Sequence, residues 1–227
     1  MPALADAFAR AGVVLELVLV DNGSTDDTSR AIDSLIAHGL PVTKAVVPVN
    51  LGQGLGIRTG LAAGKGRHIG YVNADGQVTP EDVVRVYAET RNAPDALVKA
   101  RRPNREDSLL RAVVSVGYNA TMQIFFWGMP SRDVNCNPKI LPARLLQLMQ
   151  LSSDDWFLEA EVMLKARHLQ IPVVEVDVQS HDRQAGRSHV RIATVLEFLR
   201  NIIVYRLGGP WRAWRKQVSA VAASQAR

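Results

Sequence analysis

A single cysteine, Cys136, stands in the 227 residues of the chain. One thiol forms no intramolecular disulfide, which excludes a disulfide-stapled scaffold and suits a reducing compartment. By itself Cys136 reads as a small packed residue. Repeats and low-complexity tracts are also lacking, and so is a convincing transmembrane run. Residues 112–131 (AVVSVGYNATMQIFFWGMPS) carry no charge, but Ser115, Asn119 and Gln123 recur at every fourth position. That stripe predicts an amphipathic helix rather than a span. The first twelve residues contain Asp6 and Arg10 without an apolar leader segment, so the expected location is cytoplasmic. Acidic residues are scarce at the C-terminal end: residues 183–227 hold nine Arg or Lys against Glu197 alone, a balance of +8 in a chain of net charge +5. A basic end on a mildly acidic body points to an anionic partner.

What is present is ordinary for a folded α/β domain: 47% hydrophobic and 22% charged residues. Apolar, β-branched runs at 13–20, 42–47, 68–72, 96–100 and 173–178 read as strands, with helical patterns between most of them. Ser24 to Thr28, Thr79-Pro80 and Asp154-Asp155 mark helix starts. Strand and helix in alternation predict a mostly parallel, Rossmann-like sheet covered on both faces. Ligands of such sheets bind beyond the C-terminal ends of the strands. Two strand ends here are polar, VLVDNGSTDDT and GYVNADGQ.

Asp21, Asn22, Ser24 and Asp26 follow the first of these strands. An Asx-rich turn with a helix cap accounts for most of them, but Asp21, closing a buried strand, needs a partner. In NLGQGLGIRTGLAAGKG (50–66) the glycines do not match the dinucleotide fingerprint, since Ile57 and Thr59 stand where glycine is required. They fit a helix packed close to the sheet, with Arg58 able to reach an anion at the rim. In the second strand end, Asp75 and Gln77 offer hard oxygens of the kind Mg²⁺ or Mn²⁺ accepts, and Asn73 is neutral. Asn-Ala-Asp-Gly is also a turn signal in its own right. Arg101, Arg102, Arg105, Arg111, Arg132 and the Arg183-x-x-Gly186-x-Ser188 segment are candidate phosphate binders.

Taken in order, these blocks resemble the family 2 glycosyltransferases, and among them the polyprenyl-phosphate sugar synthases related to dolichyl-phosphate mannose or glucose synthase. LVLVDNGSTDDT is similar to V-D-D-G-S-x-D-x-T. NLGQGLGIRTGLAAGKGRHIGYVNADGQ is similar to N-x-G-x-x-x-A-x-x-x-G leading into D-A-D-x-Q. RDVNCNPKI, DDWFLEAEVMLKARHLQIPVVEVDV and RQAGRSHV resemble later blocks, so that the likeness runs from Leu17 to about Ser188. It implies a GT-A type α/β/α sandwich, a UDP- or GDP-sugar donor, a divalent metal (Mg²⁺ or Mn²⁺), inverting transfer and a polyprenyl-phosphate acceptor at the inner face of the membrane. Carried over, Asp75 and Gln77 hold the metal, Asp21 the nucleoside part, and Arg183 with Ser188 the phosphates. Asn22, Ser24, Arg58, Asn73 and Arg102 complete the substrate-binding set. Asp75, Glu159 and Glu161 form the catalytic set, the two glutamates near the acceptor.

Three departures accompany the likeness. Asn73 replaces the first Asp of D-x-D, His189 replaces a Lys, and the family's opening strand with its P-x-Y-N-E loop, which belongs in the middle of the sheet, has no counterpart in Met1 to Gly12. A degenerate fold that binds nucleotide or a partner without turnover is therefore the competing expectation. A nucleic-acid partner is not expected, since it would rest only on a pI of 9.7 and on Trp211, Arg212, Trp214, Arg215 and Lys216. The expected organisation is a catalytic domain over 1–189 and a basic amphipathic helix and tail over 190–227. There Ile192, Val195, Leu196, Leu199, Ile202 and Ile203 keep a helical rhythm, and Trp211 and Trp214 anchor to an anionic membrane, unless the helix simply packs on the domain.

Overall fold

The computed structural model describes residues 2–103, 131, 133–179, 181, 200–202, 204–205 and 208–225. Residues 112–130 of the expected helix at 112–131, Arg105, Arg111, Arg132, Arg183, Ser188, His189 and most of the expected helix at 190–207 lie outside them. In chain order the elements are α1 (Pro2–Arg10), β1 (Leu17–Asn22), α2 (Thr28–Ala37), β2 (Val42–Val47), α3 (Gln53–Ala63), β3 (His68–Tyr71), α4 (Pro80–Ala88), β4 (Leu97–Arg101), β5 (Lys139–Pro142), α5 (Ala143–Met149), α6 (Leu158–His168), β6 (Val173–Asp177) and α7 (Gly209–Gln225).

The helix signals act as expected. Thr79 Oγ1 accepts the Asp82 N–H at 3.1 Å and Pro80 opens α4. Asp155 Oδ1 accepts the Phe157 N–H at 2.8 Å just before α6. β1 begins later and runs further than its apolar letters suggest, because Asp21 and Asn22 still pair with Val46 and Val47 of β2. Val14, inside the expected strand, is instead fully exposed. The glycines of α3 allow the close approach expected of them. A Cβ on Gly60 would lie 2.8 Å from Val20 Cγ2, and one on Gly64 3.4 Å from Ile69 Cγ2, so α3 packs against both β1 and β3.

Strand pairing is less uniform than alternation predicts. β1 and β2 form one parallel pair, and a second sheet has the order β3-β5-β4-β6. In that sheet β4 and β6 are parallel, while β5 runs antiparallel to both β3 and β4. β5 is the strand that the sequence reading omits. Among the described residues β1 bonds only to β2 and β3 only to β5, so the sheet is split between β1 and β3, with α3 bridging the two parts. Leu17, Val18, Leu19 and Val20 are consequently only half-buried despite their composition.

Alternate side chains of β4 divide the core. Leu97 joins Leu141, Met149, Leu158 and Met163 beneath α5 and α6, and Val98 and Ala100 join Val86, Cys136 and Ile140 beneath α4. Ile202 and Tyr205 belong to the first cluster, so residues on both sides of position 189 share one core. Trp214 is 5% exposed and its indole N–H donates to the Leu148 carbonyl at 3.1 Å. Trp211 stacks on Trp214 with ring centroids 5.0 Å apart, and His168 packs on both. The two tryptophans expected at a membrane are thus held by the domain itself, because α6 ends in an aromatic seat for them.

The tightest junction is between the start of α3 and the loop 152–155. A Cβ on Gly54 would lie 2.5 Å from the Asp155 carbonyl oxygen and 2.6 Å from that of Ser153. Backbone on both sides leaves no flexible atom to yield. Gly54→Ala is expected to cost about 2–3 kcal/mol, at the upper part of the range for overpacking. Urea unfolding with an unchanged slope and an earlier midpoint is the expected result.

Candidate active site

The C-terminal ends of β1 and β3 face the same rim. Asp21 is buried there, and its Oδ1 accepts the Ser24 N–H at 2.9 Å, a backbone hydrogen bond that holds the carboxyl below the usual range. Asn22 Nδ2 donates to the Gly52 carbonyl at 3.0 Å, while its Oδ1 is buried without a hydrogen-bond partner. Gly23 takes φ +64°, and a Cβ there would lie 2.6 Å from the Asn50 nitrogen, which makes the turn a glycine position. Ser24 is exposed beside it.

After β3 the chain turns through Asn73, Ala74, Asp75 and Gly76, the glycine at φ 73°. Asp75 Oδ1 accepts the Gln77 N–H at 3.2 Å. Gln77 is tied to His181 from both sides: the His181 N–H donates to the Gln77 carbonyl at 2.9 Å and Gln77 Nε2 to the His181 carbonyl at 3.4 Å. These two bonds hold the backbone of His181 at the turn after β3. Gln53 Nε2 donates to Asn73 Oδ1 at 3.2 Å, which links the start of α3 to the same turn.

A pocket at this turn is lined by Val72, Asn73, Asp75, Gln77, Val78, Arg102, Asn135, Cys136 and Asn137. Asn73, Asp75, Gln77 and Arg102, all picked from the sequence, therefore share one site. Arg102 is fixed by a two-pronged pair with Asp133, Nε and Nη2 each 3.1 Å from a carboxylate oxygen. Asp133 is positioned in turn by the buried Lys99, whose Nζ donates to its carbonyl at 2.8 Å and also to Ser131 Oγ and Glu175. Burial, and then the neighbouring charge of Lys139, push the Lys99 ammonium below its ordinary range. Burial raises the Cys136 thiol to about 11, so it stays protonated at neutral pH.

The donor set fits a hard divalent cation: a carboxylate and an amide oxygen beside a guanidinium. Among the described residues no group of three or more His, Cys, Asp or Glu could hold a metal, so such a cation would take further ligands from a bound diphosphate and water.

Three residues expected at the site stand elsewhere. Arg58 donates to the Ser152 carbonyl at 3.1 Å and pairs with Asp154, so it fastens the loop 152–155 rather than reaching over the rim. Glu159 is buried, accepting from Tyr71 OH at 2.7 Å, from Asn137 Nδ2 at 2.9 Å and from Lys139. It stands one side chain behind the pocket wall that Asn137 supplies. Glu161 is wholly buried and accepts from Ser152 N, Ser153 N and Lys165. Neither glutamate lines the pocket, because each is committed to a buried lysine. Asn135 and Asn137 are pocket residues the sequence reading did not single out. Their signal is faint: a polar pair flanking Cys136 just before a short strand.

Comparison with known proteins decides the family. The sequence model of Glycosyl transferase family 2 matches residues 2–137. The chain belongs to this family. It is 26% identical over 208 residues to an undecaprenyl-phosphate 4-deoxy-4-formamido-L-arabinose transferase from Klebsiella pneumoniae, covering 91% of this chain and 62% of that protein. It is 25% identical over 215 residues to dolichyl-phosphate beta-glucosyltransferase from Mus musculus, covering 88% and 66%. The chain thus spans about two thirds or less of the length of these relatives. Among solved structures, glucosyl-3-phosphoglycerate synthase from Mycobacterium tuberculosis, crystallised with Mn²⁺, UDP and glucosyl-3-phosphoglycerate, superposes with a TM-score of 0.64 at 21% identity, covering 90% of this chain and 73% of that one. The same synthase in another crystal structure gives 0.64 at 18% identity, covering 90% and 74%. These likenesses establish a GT-A type fold for this family 2 chain.

Proposed function

We propose that this family 2 chain transfers a sugar, with inversion, from a nucleoside-diphosphate sugar to a polyprenyl phosphate at the cytoplasmic face of a membrane. The observation that carries the reading is the convergence of Asp75, Gln77 and Arg102 in one pocket beyond β3. In displacement at the anomeric carbon, negative charge grows on the departing diphosphate. A guanidinium held rigidly by Asp133 stabilises that charge more than it stabilises the bound donor. A divalent cation bound through Asp75 and Gln77 would supply Lewis-acid neutralisation of the same oxygens. Asp21 and the orphaned Asn22 oxygen offer acceptors to a nucleoside, and Arg183 with Ser188 the phosphate contacts that the family likeness suggests.

Burial of Glu159 and Glu161 favours one acceptor class. Among the described residues that line the pocket Asp75 is the only carboxylate, and none of the others described there offers a base. A phosphate acceptor is already ionised at neutral pH and needs none, unlike a hydroxyl. The relatives named for polyprenyl-phosphate transfer agree with that class.

The competing reading, a fold that binds nucleotide without turnover, draws support from Asn73, whose oxygen is engaged by Gln53, and from the split sheet. Transfer of labelled sugar from UDP- and GDP-sugars to undecaprenyl phosphate with Mn²⁺ tests the proposal. Asn73→Asp is expected to raise Mn²⁺ affinity by roughly fivefold, an additional carboxylate at about 1 kcal/mol, and to sustain transfer. Tight nucleotide binding without product in both proteins would establish the competing reading.

A further inference from the structure

Three segments converge on Asp155. Gly52 lies against it so closely that a Cβ there would stand 2.9 Å from the Asp155 Cα. Trp156 follows it in sequence, and Asn201 Nδ2 donates to its Oδ2. Each segment presents a large apolar side chain to solvent close by: Leu51 at 64% exposure, Trp156 at 50% and Val204, one helical turn beyond Asn201, at 51%. The exposure of Trp156 is not that of a loose loop. Glu161 accepts two backbone N–H groups from the loop, Arg58 pairs with Asp154, and the Asp154 carbonyl accepts the Leu55 N–H at 2.9 Å. The indole is held outward on a fixed support, while Phe157, the next residue, turns inward onto Tyr205.

Among the described residues, exposed cations lie on the elements that lead away from this lip. Tyr205 packs on Trp211, and from there α7 exposes Arg212, Arg215 and Lys216, with Arg200 exposed next to Asn201. Among the described residues the acidic neighbours Asp154 and Asp155 are occupied, Asp154 by Arg58 and Asp155 by Asn201 and the Phe157 N–H. The lip also adjoins the pocket, since Gln53, next to Gly52, donates to Asn73.

We propose that Leu51, Trp156 and Val204, with the basic residues of α7, dock on the surface of an anionic lipid bilayer, Trp156 being the side chain that enters the headgroup region. An amphipathic ring with apolar neighbours and surrounding cations suits that boundary, where apolar area and attraction to anionic lipid add. The choice of a bilayer rests on the functional reading above, since a lipid-phosphate acceptor would be delivered at the same rim. Trp211 and Trp214, turned into the domain, do not serve as the anchor.

Sedimentation of the full chain with phosphatidylglycerol/phosphatidylcholine vesicles tests this. Leu51→Ser/Trp156→Ala is expected to lower partitioning about tenfold, and Arg212→Gln/Arg215→Gln/Lys216→Gln to lower it and flatten its salt dependence. All these side chains are exposed, and Leu51→Ser alone, expected to give a smaller loss, serves if the double variant melts early. Equal partitioning of the double variant and the wild type, or none by the wild type at low salt, would overturn the proposal. So would loss of a vesicle-free dimer in the double variant with partitioning unchanged, which would assign the lip to a second copy of the chain. Calorimetry of Mn²⁺ and UDP without vesicles separates the two readings: intact nucleotide binding with failed vesicle results removes only the bilayer surface.

Discussion

Asp75→Ala is expected to weaken Mn²⁺-dependent binding of UDP or GDP by at least roughly 100-fold, about 2.8 kcal/mol, while leaving the fold intact. Among the described residues the pocket has no other lining carboxylate to take over the cation. Gln77 and Asn73 are neutral, and Asn73 Oδ1 already accepts from Gln53. Stability changes little because Asp75 sits in a surface turn, where the hydrogen bond it accepts from the Gln77 N–H is worth about 1 kcal/mol. Calorimetry with and without Mn²⁺ reads the effect directly. Unchanged affinity in the variant would remove the metal assignment and with it the main support for the proposed chemistry.

Glu161→Gln is expected to have the largest effect on stability, a loss of about 3–5 kcal/mol, because it leaves Lys165 buried without its counter-charge. Lys165 Nζ lies 2.7 Å from Glu161 Oε1, and its other contacts, the Gln150 carbonyl at 2.9 Å and the Trp214 ring 4.9 Å away at its centroid, carry no full negative charge. For a domain whose whole stability is about 5–15 kcal/mol, that lowers the melting temperature by roughly 10 °C. Removing both charges, Glu161→Gln/Lys165→Met, is expected to recover most of the loss. Thermal melts of the two variants beside the wild type distinguish a broken pair from general damage to the loop 150–153.

The pH dependence of this pair has a definite sign. Burial alone would raise the Glu161 carboxyl, but the Lys165 charge and the Ser153 hydrogen bonds outweigh it and set the folded value below the ordinary 4.5. A depressed carboxyl stabilises the fold above its unfolded pKa, and the contribution is lost as pH falls through the folded one. In the wild type it is therefore complete above the ordinary carboxylate range and is lost as pH falls below 4.5 through the depressed folded value. The Gln variant lacks that part of the acid transition.

How far the sequence reveals the molecule depends on where each residue's partner lies. Thr79-Pro80 and the close-packed glycines of α3 act locally or through the absence of a side chain, and both are legible. The pocket residues Asp75, Gln77 and Arg102 are legible because they close strands in a fold whose ligands bind at strand ends. β5 is not, since it opens with Lys139, which reads as a surface residue until Glu159, 20 positions away, is brought against it. For the same reason Glu159 reads as a free acid. Glu161 carried a clue, a lysine four residues on in a helix whose positions 158–166 are all buried, and a helix buried on every side rarely spends a charge on solvent. Trp211 and Trp214 in a basic amphipathic tail look interfacial, and only the seat at His168 shows otherwise. Arg58 has its carboxylate at Asp154, 96 residues distant.

The split between β1 and β3 bears on how the molecule behaves at high concentration. Each inner edge presents backbone N–H and C=O groups with no neighbouring strand among the described residues, next to half-buried apolar side chains at 17–20. Such edges are templates for pairing with any extended chain. A net charge of +5 opposes close approach of two copies at low ionic strength, and salt removes that repulsion without touching the edges. Handling in dilute, low-salt buffer favours the dispersed protein, and concentration in high salt favours strand-to-strand association through this seam.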